Sequence, residues 1–169
     1  AVHGYLGGHD RLQIVATENN TTVTVDGGVV AVLQEGESHS HELNTPSAYI
    51  EASAPVAIWQ STGFGCELGG GQLPSVKCTG SNSTVFVRST SETMRLNVLV
   101  TAGGQGDFLF NGNAGVLTAE MFAPVPGNTN WLFAQVTTLE GQISVGQATR
   151  VENTSTVFHL GIINGGASS

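Results

Sequence analysis

The stretch RLQIVAT, residues 11–17, alternates polar and apolar side chains over most of its length, and TVTVD, residues 22–26, does the same. A period of two places Leu12 and Ile14 on one face of an extended strand. The dipeptide Asp26-Gly27 supplies residues that tolerate a positive φ in a tight turn. These features predict antiparallel strands joined by short turns.

The pattern continues along the chain. Further strands are predicted at residues 29–33, 48–52 and 56–60, and no segment has a convincing helical period. A single short helical turn is predicted around Thr118–Phe122. The sequence therefore predicts an all-β fold.

The second half of the chain is similar to the first. RLNVLVT, residues 95–101, repeats the pattern and both end residues of residues 11–17. Residues 108–112 match residues 23–27, because each is a strand that runs into a tight turn. Later segments match in the same order, residues 142–145 with 49–52 and residues 156–160 with 55–59.

Ordered agreement over several strands predicts an internal duplication. We therefore expect an antiparallel β-sandwich built from two duplicated halves. The predicted divisions are a first β-unit at residues 1–64, a glycine-rich linker closed by its cysteines at 65–83, and a second, related β-unit at 84–169.

Charged residues make up only 11% of the 169 residues, the formal net charge is -8, and Lys77 is the sole lysine. Nucleic acid and anionic membranes are excluded as partners, because both need clustered basic side chains. No stretch approaches the roughly 20 apolar residues of a membrane span, so membrane insertion is not expected. A surface of Ser, Thr, Asn, Gln and Gly is typical of extracellular or cell-surface β-proteins.

Six segments together resemble a known family. HDRLQIVATENNTTVTVDG (9–27), LQEGESHSHEL (33–43) and APVAIWQS (54–61) resemble the domain at the N-terminus of the IgGFc-binding protein, a secreted mucus protein. CELGGGQLPSVKCTGS (66–81), VFVRSTSETMRLNVLV (85–100) and FHLGIINGGASS (158–169) look most like members from bacterial surface proteins. The resemblance implies an exported β-domain, and it carries over no catalytic residue and no IgG-binding activity.

The two cysteines, Cys66 and Cys78, lie in the segment between the two halves. In an exported chain a lone pair of cysteines favours a disulfide, which would close a short glycine-rich loop. The spacing is far from Cys-x-x-Cys, so a redox pair is not expected. The glycines Gly69 to Gly71 lack the following Lys-Ser/Thr of a phosphate-binding loop.

Metal candidates are weak. His39 and His41 are two residues apart, and on a strand both imidazoles would project from one face and reach one ion. Solvated polar residues near a turn are the competing interpretation. Ca²⁺ is a second low-ranking candidate, at Asp10, Asp26 or Asp107, although no Asp-x-Asp-x-Asp-Gly run is present. We therefore expect no cofactor.

Aromatic side chains are the candidates for ligand binding. Trp131, Asn130 and Tyr5 are the predicted contacts, because Trp131 follows a loop and an exposed ring would stack on a sugar. Trp59 lies in an apolar strand and is predicted to belong to the core.

No catalytic constellation is apparent, so we predict a non-enzymatic, extracellular adhesion or structural module of a larger protein. It would act by protein–protein contacts or by self-assembly, for example in a filament, with other surface proteins, glycans or copies of itself as partners. A glycan-binding, lectin-like domain is the alternative, and a hydrolase is least favoured. The apolar end strand, Thr156–Ile163, is expected either to contact another chain or another domain through its edge, or to pair within its own sheet.

Overall fold

The computed structural model describes residues 2–3, 10–64 and 67–164, and these residues form an all-β structure with antiparallel sheets and no α-helix. The chain divides into two compact units. The first runs to Ser75 and also includes Val125–Asn128, whereas the second comprises Val76–Pro124 and Thr129–Gly166. The prediction of an all-β antiparallel fold is therefore confirmed.

The first unit contains a four-stranded sheet of order β5-β2-β8-β9, a three-stranded sheet of order β4-β3-β7 and the two-stranded ribbon β1-β6. Its strands are β1 (Val2–His3), β2 (Arg11–Ala16), β3 (Thr21–Val25), β4 (Gly28–Leu33), β5 (Ser38–Glu42), β6 (Ser47–Ala48), β7 (Ile50–Ala52), β8 (Val56–Phe64) and β9 (Glu67–Gln72).

The second unit again combines a four-stranded sheet, of order β13-β14-β11-β16, with a three-stranded sheet, of order β10-β15-β12. Its strands are β10 (Ser83–Val87), β11 (Met94–Thr101), β12 (Phe108–Phe110), β13 (Ala123–Val125), β14 (Asn128–Val136), β15 (Ala148–Asn153) and β16 (Phe158–Asn164), of which the last residue of β13 and the first of β14 are assigned to the first unit. Two 3₁₀ turns lie at Ala119–Met121 and Glu140–Gln142, and the first of them confirms the short helical turn predicted from the sequence.

Each unit has its own core, in which side chains from both sheets meet. In the first unit Leu12 and Ile14 of β2 pack with Val23 of β3, and all three are fully buried. In the second unit Val98 of β11 packs with Phe108 of β12. The polar and apolar alternation of residues 11–16 matches their burial, because every second side chain of β2 faces the core.

Two tight turns occupy corresponding places in the two units. Asp26 and Gly27 join β3 to β4 with φ values of 51° and 82°, and Asn111 and Gly112 follow β12 with φ values of 49° and 79°. Two consecutive positive φ values define the hairpin turn that asparagine, aspartate and glycine favour. The Asp-Gly and Asn-Gly dipeptides therefore account for both turns.

The hydrogen bonds at these turns also correspond. The Asp26 N–H donates to the Tyr49 carbonyl at 2.8 Å, and its Oδ1 accepts from the Tyr49 N–H at 2.7 Å. The Asn111 N–H donates to the Arg150 carbonyl at 2.8 Å, and its Oδ1 accepts from the Arg150 N–H at 2.8 Å. The strand that follows Tyr49 therefore corresponds to the one around Arg150, and not to residues 142–145 as the sequence pattern suggested.

The segment predicted as a linker contains a strand. β9 pairs antiparallel with β8 from Trp59↔Gln72 to Phe64↔Glu67 and forms an edge of the four-stranded sheet. Glycine is depleted in strands, so the run Gly69 to Gly71 looked like a connector in the sequence. The pairing with β8 supplies the backbone hydrogen bonds that hold this run extended.

A buried arginine holds the loop that follows β10. Arg88 is 6% exposed, and its guanidinium donates to the carbonyls of Thr90 at 2.9 Å, Ser91 at 3.0 Å and Glu92 at 2.6 Å. A further bond of 3.3 Å reaches the Ile143 carbonyl. The fixed fork of donors in arginine suits such a set of converging carbonyl groups.

Candidate functional site

The outer face of the four-stranded sheet of the first unit carries a continuous row of four side chains. Register places Gln13 opposite Ser40 on one side and opposite Trp59 on the other, and Trp59 lies opposite Gln72. All four residues are exposed. We call this set, Ser40, Gln13, Trp59 and Gln72, the Trp59 row.

The prediction that Trp59 belongs to the core is wrong, because the residue is 51% exposed. Ile58 lies opposite Ile14, which is fully buried, so Ile58 faces the core of the unit. Successive side chains of a strand point to opposite faces, so Trp59 lies opposite Gln13 on the outer face. The apolar composition of the strand does not show which of its side chains face solvent, so the sequence alone placed Trp59 in the core.

Gly70 of β9 lies next to the Nε1 and Cε2 atoms of the Trp59 indole ring. A Cβ placed on Gly70 would lie 2.8 Å from Nε1 and 3.1 Å from Cε2 of Trp59, and 2.7 Å from the Gln60 carbonyl oxygen. The ring therefore leans over β9 and occupies the space that a side chain at Gly70 would need. The Nε1 and Cε2 side of the indole is therefore next to β9, while 51% of the residue remains exposed.

The surroundings of the Trp59 row are polar with little net charge. Gln13 Nε2 donates to Ser40 Oγ at 2.9 Å, which fixes one end of the row. In the next row across the sheet, Arg11 and Glu42 lie directly opposite each other, and both are exposed. On the other side of the row Val15 is 37% exposed.

A second surface is the edge formed by β16 in the second unit. Within the described residues β16 pairs with one strand, β11, from Phe158↔Val100 to Asn164↔Met94. The Phe158 N–H and carbonyl exchange hydrogen bonds with Ser81, on the side away from β11. Because backbone direction alternates along a strand, the N–H groups of Leu160 and Ile162 also point away from β11.

The β16 edge is held in place from within the unit. Leu160 and Ile162 pack against the core while remaining half-buried. At the end of the strand Asn164 Oδ1 accepts from the Ser89 and Thr90 N–H groups, each at 3.0 Å. The outward-facing backbone groups of β16 therefore belong to a firmly anchored strand.

Trp131 and Asn130, the predicted sugar contacts, lie on β14. Asn130 is exposed, whereas Trp131 is half-buried and its ring centroid lies 5.6 Å from that of His159, with an interplanar angle of 60°. The third predicted contact, Tyr5, lies outside the described residues. Trp131 is thus less available for stacking than the sequence suggested, and Trp59 is more available.

His159 is itself partly enclosed. Burial lowers the pKa of its imidazole below the ordinary value. Nδ1 lies 3.4 Å from Thr79 Oγ1, and Nε2 is buried without a hydrogen-bond partner among the described residues. The lowered pKa favours the neutral form of the His159 ring, which lies beside Trp131.

His39 and His41 project from the same face of β5, as the spacing predicted, and their ring centroids are 6.2 Å apart. Both are half-buried on the side opposite to the Trp59 row. Across residues 10–64 and 67–164, no group of three or more His, Cys, Asp or Glu side chains is placed to hold a metal ion. A metal site at this pair stays a weak prediction.

The acidic candidates for Ca²⁺ have other surroundings. Asp10 is 1% exposed, and Asp26 serves the turn described above. The Asp107 carbonyl accepts from the Thr154 N–H at 3.1 Å. The carboxylate of Asp26 therefore has a structural role in its turn, and a Ca²⁺ site stays a prediction.

Of the two cysteines predicted to form a disulfide, the structure describes Cys78. Cys78 is exposed, and its predicted partner Cys66 lies outside the described residues. The disulfide therefore stays a prediction. The part of the chain that the structure describes contains no helix with the length and apolar character needed to cross a membrane.

Comparison with known proteins gives one match. The model of the family described as IgGFc binding protein matches residues 2–161, which is nearly the whole chain. No curated protein and no solved structure matches the chain significantly.

Proposed function

We propose that this chain, which belongs to the IgGFc-binding protein family, is a non-enzymatic, extracellular adhesion or structural module of a larger surface or secreted protein. The family description names a protein ligand, which supports a protein partner here without identifying it. The similarity of residues 66–81 and 158–169 to bacterial surface proteins supports a bacterial surface setting.

The observation that carries this proposal is the edge strand β16. Its Leu160 and Ile162 N–H groups point away from β11, and an added strand would pair with them. Edges of this kind are commonly blunted with lysine, proline or a bulge. Between Phe158 and Asn164 the sequence FHLGIIN contains neither lysine nor proline.

The partner that we propose for this edge is a second copy of the chain, joined by β-strand addition. Backbone hydrogen bonds would supply the affinity in such a contact, and the half-buried side chains of β16 would supply the specificity. Pairing between the β16 edges of two copies would give a dimer, whereas a filament would need β16 to meet a different edge of the next copy.

The test replaces Ile162 with proline, which removes an N–H that β11 does not use. Proline is tolerated at an edge position where the N–H faces outward, so the fold should persist. Ile162→Val is the matched control, because it keeps both the N–H and a β-branched side chain. Sedimentation velocity should show concentration-dependent association of the wild type and of Ile162→Val, but a monomer for Ile162→Pro.

Hydrogen exchange on the isolated chain provides the second measurement. The Leu160 and Ile162 amides should exchange quickly in the dilute monomer and slowly in the assembly. Strong protection of both amides in the monomer would show that the edge is covered within its own chain, and the proposal would then be abandoned. The proposal would also be abandoned if the wild-type chain stayed monomeric at high concentration.

A lectin-like function was the alternative suggested by the sequence. The packing of Trp131 against His159 removes much of the support for a sugar site at Trp131 and Asn130. A sugar-binding role is better supported at the exposed Trp59.

A further inference from the structure

An exposed tryptophan on the outer face of a sheet needs an explanation. Trp59 leaves 51% of its surface in water, although tryptophan is highly buried on average. Tryptophan is enriched at contact surfaces, because its ring combines a large apolar area with a polar N–H group. Trp59 is therefore the first candidate for a contact residue in the first unit.

The chemistry of the exposed ring restricts what can cover it. The Nε1 and Cε2 side of the indole is next to Gly70, and half of the residue's surface remains accessible to a ligand. A flat aromatic face carries partial negative charge and attracts polarised C–H groups. The apolar face of a pyranose ring presents such C–H groups in a plane, so a sugar ring fits this surface.

A sugar also needs hydrogen-bonding partners for its hydroxyl groups, and the side chains that flank Trp59 supply them. Gln13 and Gln72 lie on either side of Trp59 in the same row, and each carries an amide that both donates and accepts. Sugar hydroxyl groups likewise donate and accept, so the two types of group satisfy each other. The bond from Gln13 to Ser40 at 2.9 Å orients the first of these amides in advance.

The charge of the face argues for a neutral ligand. Arg11 and Glu42 lie directly opposite each other in the neighbouring row, so their charges offset. Val15 and Ala57 are the exposed apolar side chains beside the row, and both are small compared with the indole. The neighbours of Trp59 within the row are the amides Gln13 and Gln72, which suit a polar ligand.

We propose that the outer face of the β5-β2-β8-β9 sheet binds a neutral oligosaccharide, with a pyranose ring stacked on Trp59 and its hydroxyl groups bonded to Gln13 and Gln72. The row crosses four strands, or three spacings of about 4.8 Å, which gives a platform about 14 Å long. That length favours a short oligosaccharide over a single sugar.

The experiment titrates the 169-residue chain with three neutral probes, cellohexaose, chitohexaose and mannohexaose, by calorimetry. At least one probe should bind, and Trp59→Ala should weaken that binding about tenfold or more. Trp131→Phe is the matched control, because it alters the other tryptophan and should leave the affinity unchanged. Cooperative urea unfolding of each variant checks that it is folded.

A second readout keeps the tryptophan itself in place. In the Trp131→Phe background, the probe that binds should protect Trp59 from oxidation by N-bromosuccinimide, as measured by mass spectrometry. Gln72→Ala retains the ring and removes an amide, so it should weaken binding about threefold or more.

Two results would overturn the proposal. The first is that none of the three probes binds, and protection of Trp59 by added copies of the chain would then identify the face as a protein contact. The second is equal binding by the wild type and Trp59→Ala.

Discussion

The cores of the two units differ although their turns agree. The first unit is filled by aliphatic side chains, with Leu12, Ile14 and Val23 at its centre. In the second unit Phe108 stacks on Phe122 at 5.4 Å between ring centroids and meets Phe158 edge to face at 5.3 Å. The turn and its hydrogen bonds thus fix the path of the backbone, while the sheets accommodate different core volumes.

The chain also diverges immediately after the turn. In the first unit β4 continues for six residues and pairs along β3. In the second unit pairing stops after the single bridge between Phe110 and Asn113, and Gly115 then adopts a φ of 83°. A tight turn therefore starts a hairpin, whereas the residues that follow determine its length.

The largest expected effect comes from opening the aromatic core. Phe108→Ala should lower the free energy of unfolding of the second unit by about 3–5 kcal/mol, because it deletes a buried ring with two ring contacts. Val23→Ala at the corresponding position should cost the first unit less, since fewer methyl groups are removed. Urea unfolding monitored by Trp131 for the second unit and by Trp59 for the first, in single-tryptophan backgrounds, separates the two values. Equal losses would contradict the assignment of different cores.

The next effect concerns the shared turn. Asp26→Ala and Asn111→Ala each remove the Oδ1 acceptor and place alanine at a positive φ, so each should cost about 1–2 kcal/mol. Asp26→Asn keeps the Oδ1 acceptor and a residue type that tolerates a positive φ, so it should change the free energy of unfolding very little. The same urea titrations measure all three variants. A large cost for Asp26→Asn would show that the charge of Asp26, which Asn111 lacks, is needed in the first unit.

The smallest effect is a dependence on pH in the second unit. Burial lowers the pKa of His159 in the folded chain, so the unfolded chain takes up the proton more readily. Stability should therefore be full above about pH 6.5, the ordinary histidine pKa, and should fall as the pH drops below it. His159→Asn should reduce this slope, whereas Thr79→Val, which keeps the histidine, should retain it. An unchanged slope in His159→Asn would assign the dependence to other groups.

Periodicity predicted the strands of this protein better than it predicted their faces. Residues 11–16 alternate so regularly that both the strand and its buried face follow from the sequence. The face occupied by Trp59 depends on its pairing with Gln13, which is distant in sequence, so composition alone misplaced it. The strand at Gly69 to Gly71 was likewise missed, because its stability comes from β8 and not from its own side chains.

In the candidate site, too, the sequence predicted the placement of residues within one strand and missed the placement of residues across strands. Same-strand neighbours such as His39 and His41 were correctly placed on one face. The Trp59 row joins residues from four strands, and no local pattern connects them. The duplication of the two halves stays a prediction, which the corresponding bonds of Asp26 and Asn111 make more specific.

The buried Arg88 has a consequence for the substitutions that the loop after β10 can accept. Its guanidinium donates to the main-chain carbonyl groups of Thr90, Ser91 and Glu92. Because every residue type supplies the same carbonyl group, a change of side chain at these three exposed positions would leave the acceptors in place. The path of the loop is therefore set by its backbone and by one arginine, and depends little on the identity of the residues that form it.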